Sequence, residues 1–412
     1  MLGLSIDADV ARGSLTLHFG RNDMWGLRWY DRLKYSAFQS DSTFPRRLAI
    51  GGLTISAAKL AGARFHALQF LDNATVVASL NAPDNQTSVR VEVVLSPTEN
   101  IAVTRIAVAA SAPLELNVTS FAAPLLPYKA AADQPGAKPA TCKPNEPDPG
   151  VLGCLDGHTS AAVDAARRML WAVRTPLNAS SNTNAVTVAA ASAFAPGVVC
   201  KLSTDSMLSA SCIAAVSGTV TVASAVISNF ELEASGTPSL QPMQAAAAKA
   251  AAAAASVASA ERVREQSNAW WKQFWDEASV NIPGMPWLEE FYYAQTYMIA
   301  SASRENTSGP FPAGLWGPWV FSDEPGWGGD FTLDYNHEAN HWGLPANNRL
   351  GIAWPQFAPI ISYLPQARKE GALFLGFINK SHTPECKGAL HYPGVCACAP
   401  VCAIPSSCWA DW

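Results

Sequence analysis

The sequence has no run of lysine and arginine, no apolar stretch long enough to cross a bilayer, and few charges of either sign: 28 basic and 33 acidic residues, 15% of 412. The first absence removes the electrostatic footprint of a nucleic-acid or anionic-membrane partner. The second excludes a spanning helix. The opening residues MLGLSIDADVARGSLTLHFG lack a basic segment followed by an apolar one, so no secretory signal is expected within them. A hydrophobic content of 49% fits a globular chain long enough for more than one buried core.

Other features suit a secretory or vacuolar route. Asn73, Asn85, Asn117, Asn178, Asn306 and Asn379 each open an Asn-X-Ser/Thr glycosylation triplet. Cys142 with Cys154 and Cys200 with Cys212 are spaced as local disulfide clips. The tail cysteines, Cys386 to Cys408, match no familiar zinc-finger spacing.

Up to about Leu240 the chain reads as short strands separated by Gly, Pro, Asn and Asp. Ser88 to Ser96 puts Val89, Val91 and Val93 on one face and Arg90 and Glu92 on the other, the pattern of a half-buried antiparallel strand. Leu15–Phe19, Leu48–Ile55, Ile101–Ala109, Leu114–Phe121, Ala185–Ala191 and Thr219–Ile227 repeat it. Residues 1–240 are therefore expected to form an antiparallel β-sandwich, with one helical segment at Ser160–Ala172. Asn22 to Trp25 and Trp29 follow a strand ending at Gly20, where an exposed indole or a packed turn are both open readings.

Residues 241–266 are dominated by alanine and predict a linker helix with too little bulky surface for a core. From residue 267 to 412 the alternation disappears and eleven of the fourteen tryptophans accumulate. Leu288, Phe291, Tyr292, Gln295, Met298 and Ile299 recur at helical spacing, and a second helical pattern follows Pro345.

Gly314 to Trp342 combines tryptophans, glycines, acids, histidines and asparagines. Indoles supply flat apolar platforms, glycines allow close backbone approach, and carboxylates and carboxamides add directional polar groups, as a pocket for a polyhydroxylated ligand requires. Trp316, Trp319 and Trp327 are candidate platforms, with Asp330, Asn340, His341 and Trp342 as further ligand contacts. Asp334 and Asn336 are the candidate catalytic pair, a carboxylate and a carboxamide able to hold one water for attack at an acetal carbon. Asp323, Glu324, Asp330 and Glu338 are the other acids nearby.

His337-Glu338-Ala339-Asn340-His341 also matches H-E-x-x-H, in which two histidines one turn apart bind zinc and the glutamate activates water. Gly343 and Pro345 cut the helix short, and Glu370 is the only distant carboxylate candidate for a third ligand. The expectation is no metal and no other cofactor, with a zinc peptidase and a non-catalytic glycan-binding protein as the alternatives.

As a set, several motifs resemble family 95 glycoside hydrolases, the inverting α-L-fucosidases and their relatives among the six-hairpin glycosidases. They are Trp271-Lys-Gln-Phe-Trp275, Leu288 to Tyr297, Ala300 to Arg304, Leu315-Trp316-Gly317 with Trp319, Trp327, Gly329 to Thr332, and the N-x-x-x-N-x-W of Asn336 to Trp342. The resemblance implies a sandwich, a linker and an (α/α)6 toroid, with a carbohydrate substrate. It also implies a pair of asparagines, two apart, that positions the water; Asn336 stands at the second place and Asp334 at the first. The family's general acid falls in later helices, so the chain is expected to hold the sandwich and only the opening part of the barrel.

Overall fold

The computed structural model describes residues 2–26, 46–123, 158–175, 188–229, 242–304, 311–323, 325–329, 331–333, 335–378, 390–392 and 395–397. The strands begin with β1 (Leu2–Asp9), β2 (Ser14–Arg21), β3 (Trp25–Gly26), β4 (Arg46–Arg47), β5 (Gly51–Ser56), β6 (Arg64–Phe70), β7 (Thr75–Asn81) and β8 (Ser88–Leu95). Then come β9 (Ile101–Ala109), β10 (Leu114–Ala122), β11 (His158–Asp164), β12 (Met169–Thr175), β13 (Val188–Phe194), β14 (Lys201–Ser206), β15 (Ser209–Val216) and β16 (Gly218–Ser228). The helices are α1 (Pro242–Ala254), α2 (Val257–Glu277), α3 (Pro286–Ala302), α4 (Asn336–Ala339), α5 (Gly343–Ala346) and α6 (Leu350–Ile378).

Two antiparallel sheets face each other. One has six strands in the order β1-β2-β5-β10-β15-β14, the other eight in the order β11-β12-β13-β16-β9-β8-β7-β6. Alternate residues of both point into one core: Leu15, Leu17, Phe19, Leu53 and Ile55 from the first meet Val89, Val91, Val93, Ile106 and Val222 from the second, as period-two side-chain alternation demands. The Cys200–Cys212 disulfide forms, joining the start of β14 to β15. Cys142, Cys154, Cys386, Cys398, Cys402, Cys408 and Trp29 lie outside the described residues.

Ser160–Ala172 is not a helix. It is most of the β11–β12 hairpin, paired from His158↔Thr175 to Asp164↔Met169. The Ala-Ala-Val and Ala-Arg-Arg segments have high helix propensity, but the long-range ladder β11-β12-β13 overrides it.

The alanine-rich segment also differs from expectation. It splits at Ala255, and the Ser256 hydroxyl caps a new helix by accepting from the Ser259 amide at 3.0 Å. Nor is α1 a bare connector. Ala246, Ala247, Ala250, Ala253 and Ala254 are buried on the outer face of the eight-stranded sheet, against Ala189, Ala191, Ala223, Ala225 and Ile227. This second cover explains why β13 is buried along its whole length.

The helical part docks on the same sheet. The Trp275 indole nitrogen donates to the Leu71 carbonyl at 2.9 Å, and Gln69 donates to the Tyr297 hydroxyl at 2.8 Å. Arg264 of α2 pairs with Glu92 of β8. Trp271, Phe274, Tyr297, Ala300, Leu344, Ile352 and Ala353 form the core among α2, α3, α5 and α6. In α3 the buried face is Thr296, Tyr297 and Ala300, whereas Phe291 and Met298 are exposed together with Trp287. The antiparallel hairpin β17 (Leu390–Tyr392) and β18 (Val395–Ala397) follows α6. Among the described residues no helix is long and apolar enough to cross a membrane, which says nothing of a β-barrel.

Candidate functional site

The tryptophan-bearing loop after α3 is fastened to the sandwich by buried polar groups. Asn22 donates from its carboxamide to the Ala302 carbonyl at 2.7 Å and to the Phe311 carbonyl at 3.3 Å. Arg174 of β12 donates to the Asp323 carboxylate at 2.7 Å, and the Ala49 amide reaches the same oxygen at 3.1 Å. Both charged side chains are almost wholly buried, where an ion pair survives only if its remaining donors and acceptors are also matched. Pro318 lies across β1 and β2 so closely that a Cβ on Gly20 would fall 1.7 Å from its carbonyl oxygen. His18 stands between Phe121 and Phe321, with ring centroids 5.9 and 5.1 Å away.

Behind this loop lies a second buried charge cluster. Arg21 donates to both oxygens of Asp23 at 2.7 and 2.6 Å and to the Val226 carbonyl at 2.6 Å, and the Ser228 hydroxyl donates to Asp23 at 2.7 Å. Burial alone would raise the Asp23 carboxyl, but the Arg21 charge and these hydrogen bonds outweigh it and hold Asp23 well below the ordinary range. Arg47 donates to the Arg21 carbonyl and is pushed down to about 10 by burial, with Asp23 opposing the shift. Its aliphatic stem lies under Gly329, where a Cβ would come within 2.9 Å of Arg47 Cγ. Asn22, Asp23 and Met24 are thus a packed turn.

On this base the indoles take different positions. Trp316 is half exposed, and its Nε1 donates to the Gly326 carbonyl at 3.0 Å across the loop. Trp319 is partly buried against Gly317. Trp327 is 78% exposed on a backbone with φ +52°. A left-handed conformation in a bulky residue costs on the order of 1–3 kcal/mol, and here it holds an indole in solvent.

The polar stretch that follows has two faces. Asn336 and Asn340, one turn apart, are exposed together with Tyr335 and Trp342. His337, His341 and Leu344 turn inward. His337 Nε2 lies 3.3 Å from the Gln356 carbonyl and His341 Nδ1 lies 2.8 Å from the His337 carbonyl. Burial lowers both imidazoles: the carbonyl contacts oppose this, and the charge of His337 adds to it at His341. His341 is therefore an internal anchor, with 2% of its surface exposed, and not a surface contact. Glu338 is exposed whereas both imidazoles are buried. Among the described residues no group of three or more His, Cys, Asp and Glu is placed to hold a metal ion. Glu324, Asp330 and Asp334 lie outside the described residues.

Arg349 fixes the end of this unit. It donates to Glu277 at 2.9 Å and to the Ala278 carbonyl at 3.1 Å, with its guanidinium 3.9 Å from the Phe274 ring centre. The Tyr292 hydroxyl donates to the Asn347 carboxamide oxygen at 2.8 Å. The anchors Arg174, Arg47 and Arg349 were missed by sequence reasoning; their one signal is an arginine at the end of, or just before, an apolar run.

Residues 248–376 match the glycosyl hydrolase family 95 catalytic domain. The matched segment runs from α1 into α6 and includes every candidate residue from Trp316 to Trp342. Over 102 residues the chain is 36% identical to Probable alpha-fucosidase A of Aspergillus niger, which is 24% of this chain and 12% of the fungal one. A solved structure assigned as a kojibiose phosphorylase from the human microbiome shares the fold over 74% of this chain and 40% of its own, at 11% identity and a TM-score of 0.50. A bacterial glucoamylase complexed with acarbose aligns over 89% of this chain and 50% of its own, at 9% identity and a TM-score of 0.45. The chain thus spans well under two thirds of the length of each of these relatives.

Proposed function

We propose that the chain supplies the sandwich and the water-positioning side of an inverting glycoside hydrolase acting on O-glycosyl bonds of the α-L-fucoside or α-galactoside type. The observation that carries this reading is that the segment matching the family 95 catalytic domain contains a stretch in which Trp316, Trp327 and Trp342 are exposed together with Asn336 and Asn340, two carboxamides one turn apart. Trp316, Trp327 and Trp342 offer apolar faces to the C–H side of a sugar ring, with Trp319 partly buried against Gly317. Asn340 and Asp330 are read as groups for the sugar hydroxyls.

Inversion needs a base that activates water on one side of the ring and an acid that protonates the leaving oxygen on the other, the two carboxyl groups being roughly 6.5–9.5 Å apart. Asp334 and Asn336 take the water side. Asp323 cannot serve as the acid, because Arg174 and the Ala49 amide hold its oxygens inside the protein. Two carboxyl groups suffice for this chemistry, so no cofactor is invoked. The six glycosylation triplets and the Cys200–Cys212 bridge favour an oxidising, secretory setting.

The test is binding of methyl α-L-fucoside and methyl α-D-galactoside by the 412-residue chain, read by tryptophan fluorescence and ligand-observed NMR. Aryl glycoside hydrolysis, with the anomer of the released sugar, is read in parallel. Binding that weakens in Trp327→Ala supports the reading, as does any hydrolysis that disappears in Asp334→Ala and Asn336→Ala. Absence of binding to either sugar overturns it. Binding with no turnover, unchanged in Asn336→Ala, would favour the glycan-binding alternative.

A further inference from the structure

We infer that Asn85 carries an N-linked glycan, and that this glycan covers the open edge of the eight-stranded sheet at β6. Three of the six Asn-X-Ser/Thr triplets lie among the described residues, at Asn73, Asn85 and Asn117, and the fold treats them differently. Asn117 is half-buried in the middle of β10, with β5 on one side and β15 on the other, and its carboxamide oxygen accepts from the Thr119 hydroxyl at 3.3 Å. Asn73 is half-buried in the β6–β7 turn between Leu71 and Ala74, which pack on the helical core. Of the three, Asn85 alone is exposed.

The β7–β8 turn presents this asparagine. Asp84 accepts from the amides of Gln86 and Thr87, both at 2.8 Å, and from the Thr87 hydroxyl at 2.9 Å. Asn85 then takes φ +55°, a left-handed conformation that asparagine adopts more readily than most residues. Its Oδ1 accepts from the Arg64 guanidinium at 2.7 Å. A guanidinium can only donate, so the oxygen is turned to Arg64, and Nδ2 has no hydrogen-bond partner among the described residues. Glycan transfer forms a C–N bond from Nδ2 to the anomeric carbon of an N-acetylglucosamine, while the bond from that carbon to a lipid-linked pyrophosphate breaks. The pyrophosphate leaves with the electron pair and Nδ2 loses one proton. The modified amide keeps its oxygen, so the Arg64 contact survives. In the folded turn Thr87 is buried and bound to Asp84, so the triplet is read before the turn closes, and the fold decides which modified chains can complete it.

Arg64 opens β6, the last strand of its sheet among the described residues. All seven residues of β6 are exposed, Phe65, Leu68 and Phe70 among them. The strand holds neither the lysine nor the proline that commonly guards an edge, so its free backbone groups and apolar side chains are a template for pairing with a second chain. One end of this edge meets the helices, where Gln69 donates to the Tyr297 hydroxyl and the Trp275 indole to the Leu71 carbonyl. A glycan on Asn85, one hydrogen bond from the residue that begins β6, sets hydrated sugar at the other end. This inference rests on the secretory setting proposed above and not on the sugar that the chain takes as substrate.

The experiment directs the full 412-residue chain into the secretory pathway of a yeast with an added cleavable leader. The folded product is treated with peptide-N-glycosidase in heavy-oxygen water, which marks each formerly glycosylated asparagine as an aspartate of raised mass. Asn85 is expected to be marked. Asn85→Asp keeps an oxygen for Arg64 and suits the same backbone, so it should lose one glycan from the intact mass and melt at an unchanged temperature. In light scattering it should shift from monomer towards larger species, and Leu68→Lys in that background should restore the monomer. An unmarked Asn85 beside any other marked triplet would overturn the site and leave the secretory reading standing. No mark at any of the six triplets would overturn the site and remove the triplets as support for that reading. A marked Asn85 with an Asn85→Asp chain as monomeric as wild type would overturn the cover at β6.

Discussion

Arg174 and Asp323, 149 residues apart in the chain, form one buried ion pair that joins the sandwich strand β12 to the tryptophan-bearing loop. The sandwich is thereby part of the site's support. Removing one partner strands the other charge where water cannot reach it, at a cost of about 3–5 kcal/mol. Asp323→Ala is expected to lower the melting temperature sharply and to weaken sugar binding without touching sugar. The double variant Arg174→Met with Asp323→Leu should recover most of the stability; equal damage in single and double variants would contradict the pairing.

Gly20 offers a second lever on the same loop. A Cβ there meets the Pro318 carbonyl oxygen, which is backbone and cannot rotate away. Gly20→Ala is expected to cost about 1–3 kcal/mol and to shift tryptophan emission as Trp316 and Trp319 move. An unperturbed spectrum and an unchanged urea midpoint would place the loop further from β2 than this contact requires.

Acid should weaken the fold in two steps. The buried imidazoles of His337 and His341 lie below the ordinary histidine value when folded. Their contribution is complete above about pH 6.5 and is lost as pH falls below that value, because the unfolded chain then binds protons that the folded one refuses. Stability is expected to decline from pH 7 towards pH 5, with a shallower slope in His337→Gln/His341→Gln.

The second step belongs to Asp23. Its carboxyl is depressed, so its contribution is present above the unfolded value of about 3.9 and disappears as pH drops further towards the folded value. In Asp23→Asn the stability below pH 4 should depend less on pH, and the variant should already be weaker at pH 7. Identical acid limbs in wild type and variant would show that other carboxylates govern this range.

If His337 and His341 held zinc, a chelator would remove stability with it. The expected result is an unchanged melting temperature in excess EDTA and no stoichiometric zinc in the purified protein.

Much of the sandwich was legible because side-chain period follows backbone period: Val89, Val91 and Val93 are buried as their alternation requires. Failure came where tertiary pairing outweighed local preference. Ser160–Ala172 reads as helix because its alanines and arginines favour one, and only the ladder to β13 makes it a hairpin. The composition of the Gly314–Trp342 stretch drew attention to the site, and H-E-x-x-H was discounted on its neighbours Gly343 and Pro345. The inward turn of His341 was not legible, since nothing local says which side of a two-turn unit meets Gln356 and Leu344. The arginine anchors were invisible for a related reason, as each partner lies far away in sequence.

The methyl-lined contact of α1 acts as a spacer of fixed thickness. Helix-to-neighbour separation is set by the side chains at the contact, and alanine gives almost the smallest stand-off available. A leucine at Ala250 would lift α1 from β13 and β16, and only two residues separate its end from α2. That displacement would reach Trp271 and Phe274, then the Arg349 seat beneath the turns that carry Asn336 and Trp342. The alanine tract, which reads as low-complexity filler, is thus a calibrated shim: its sheet-facing positions should drift only among Gly, Ala and Ser, while its solvent-facing positions drift freely.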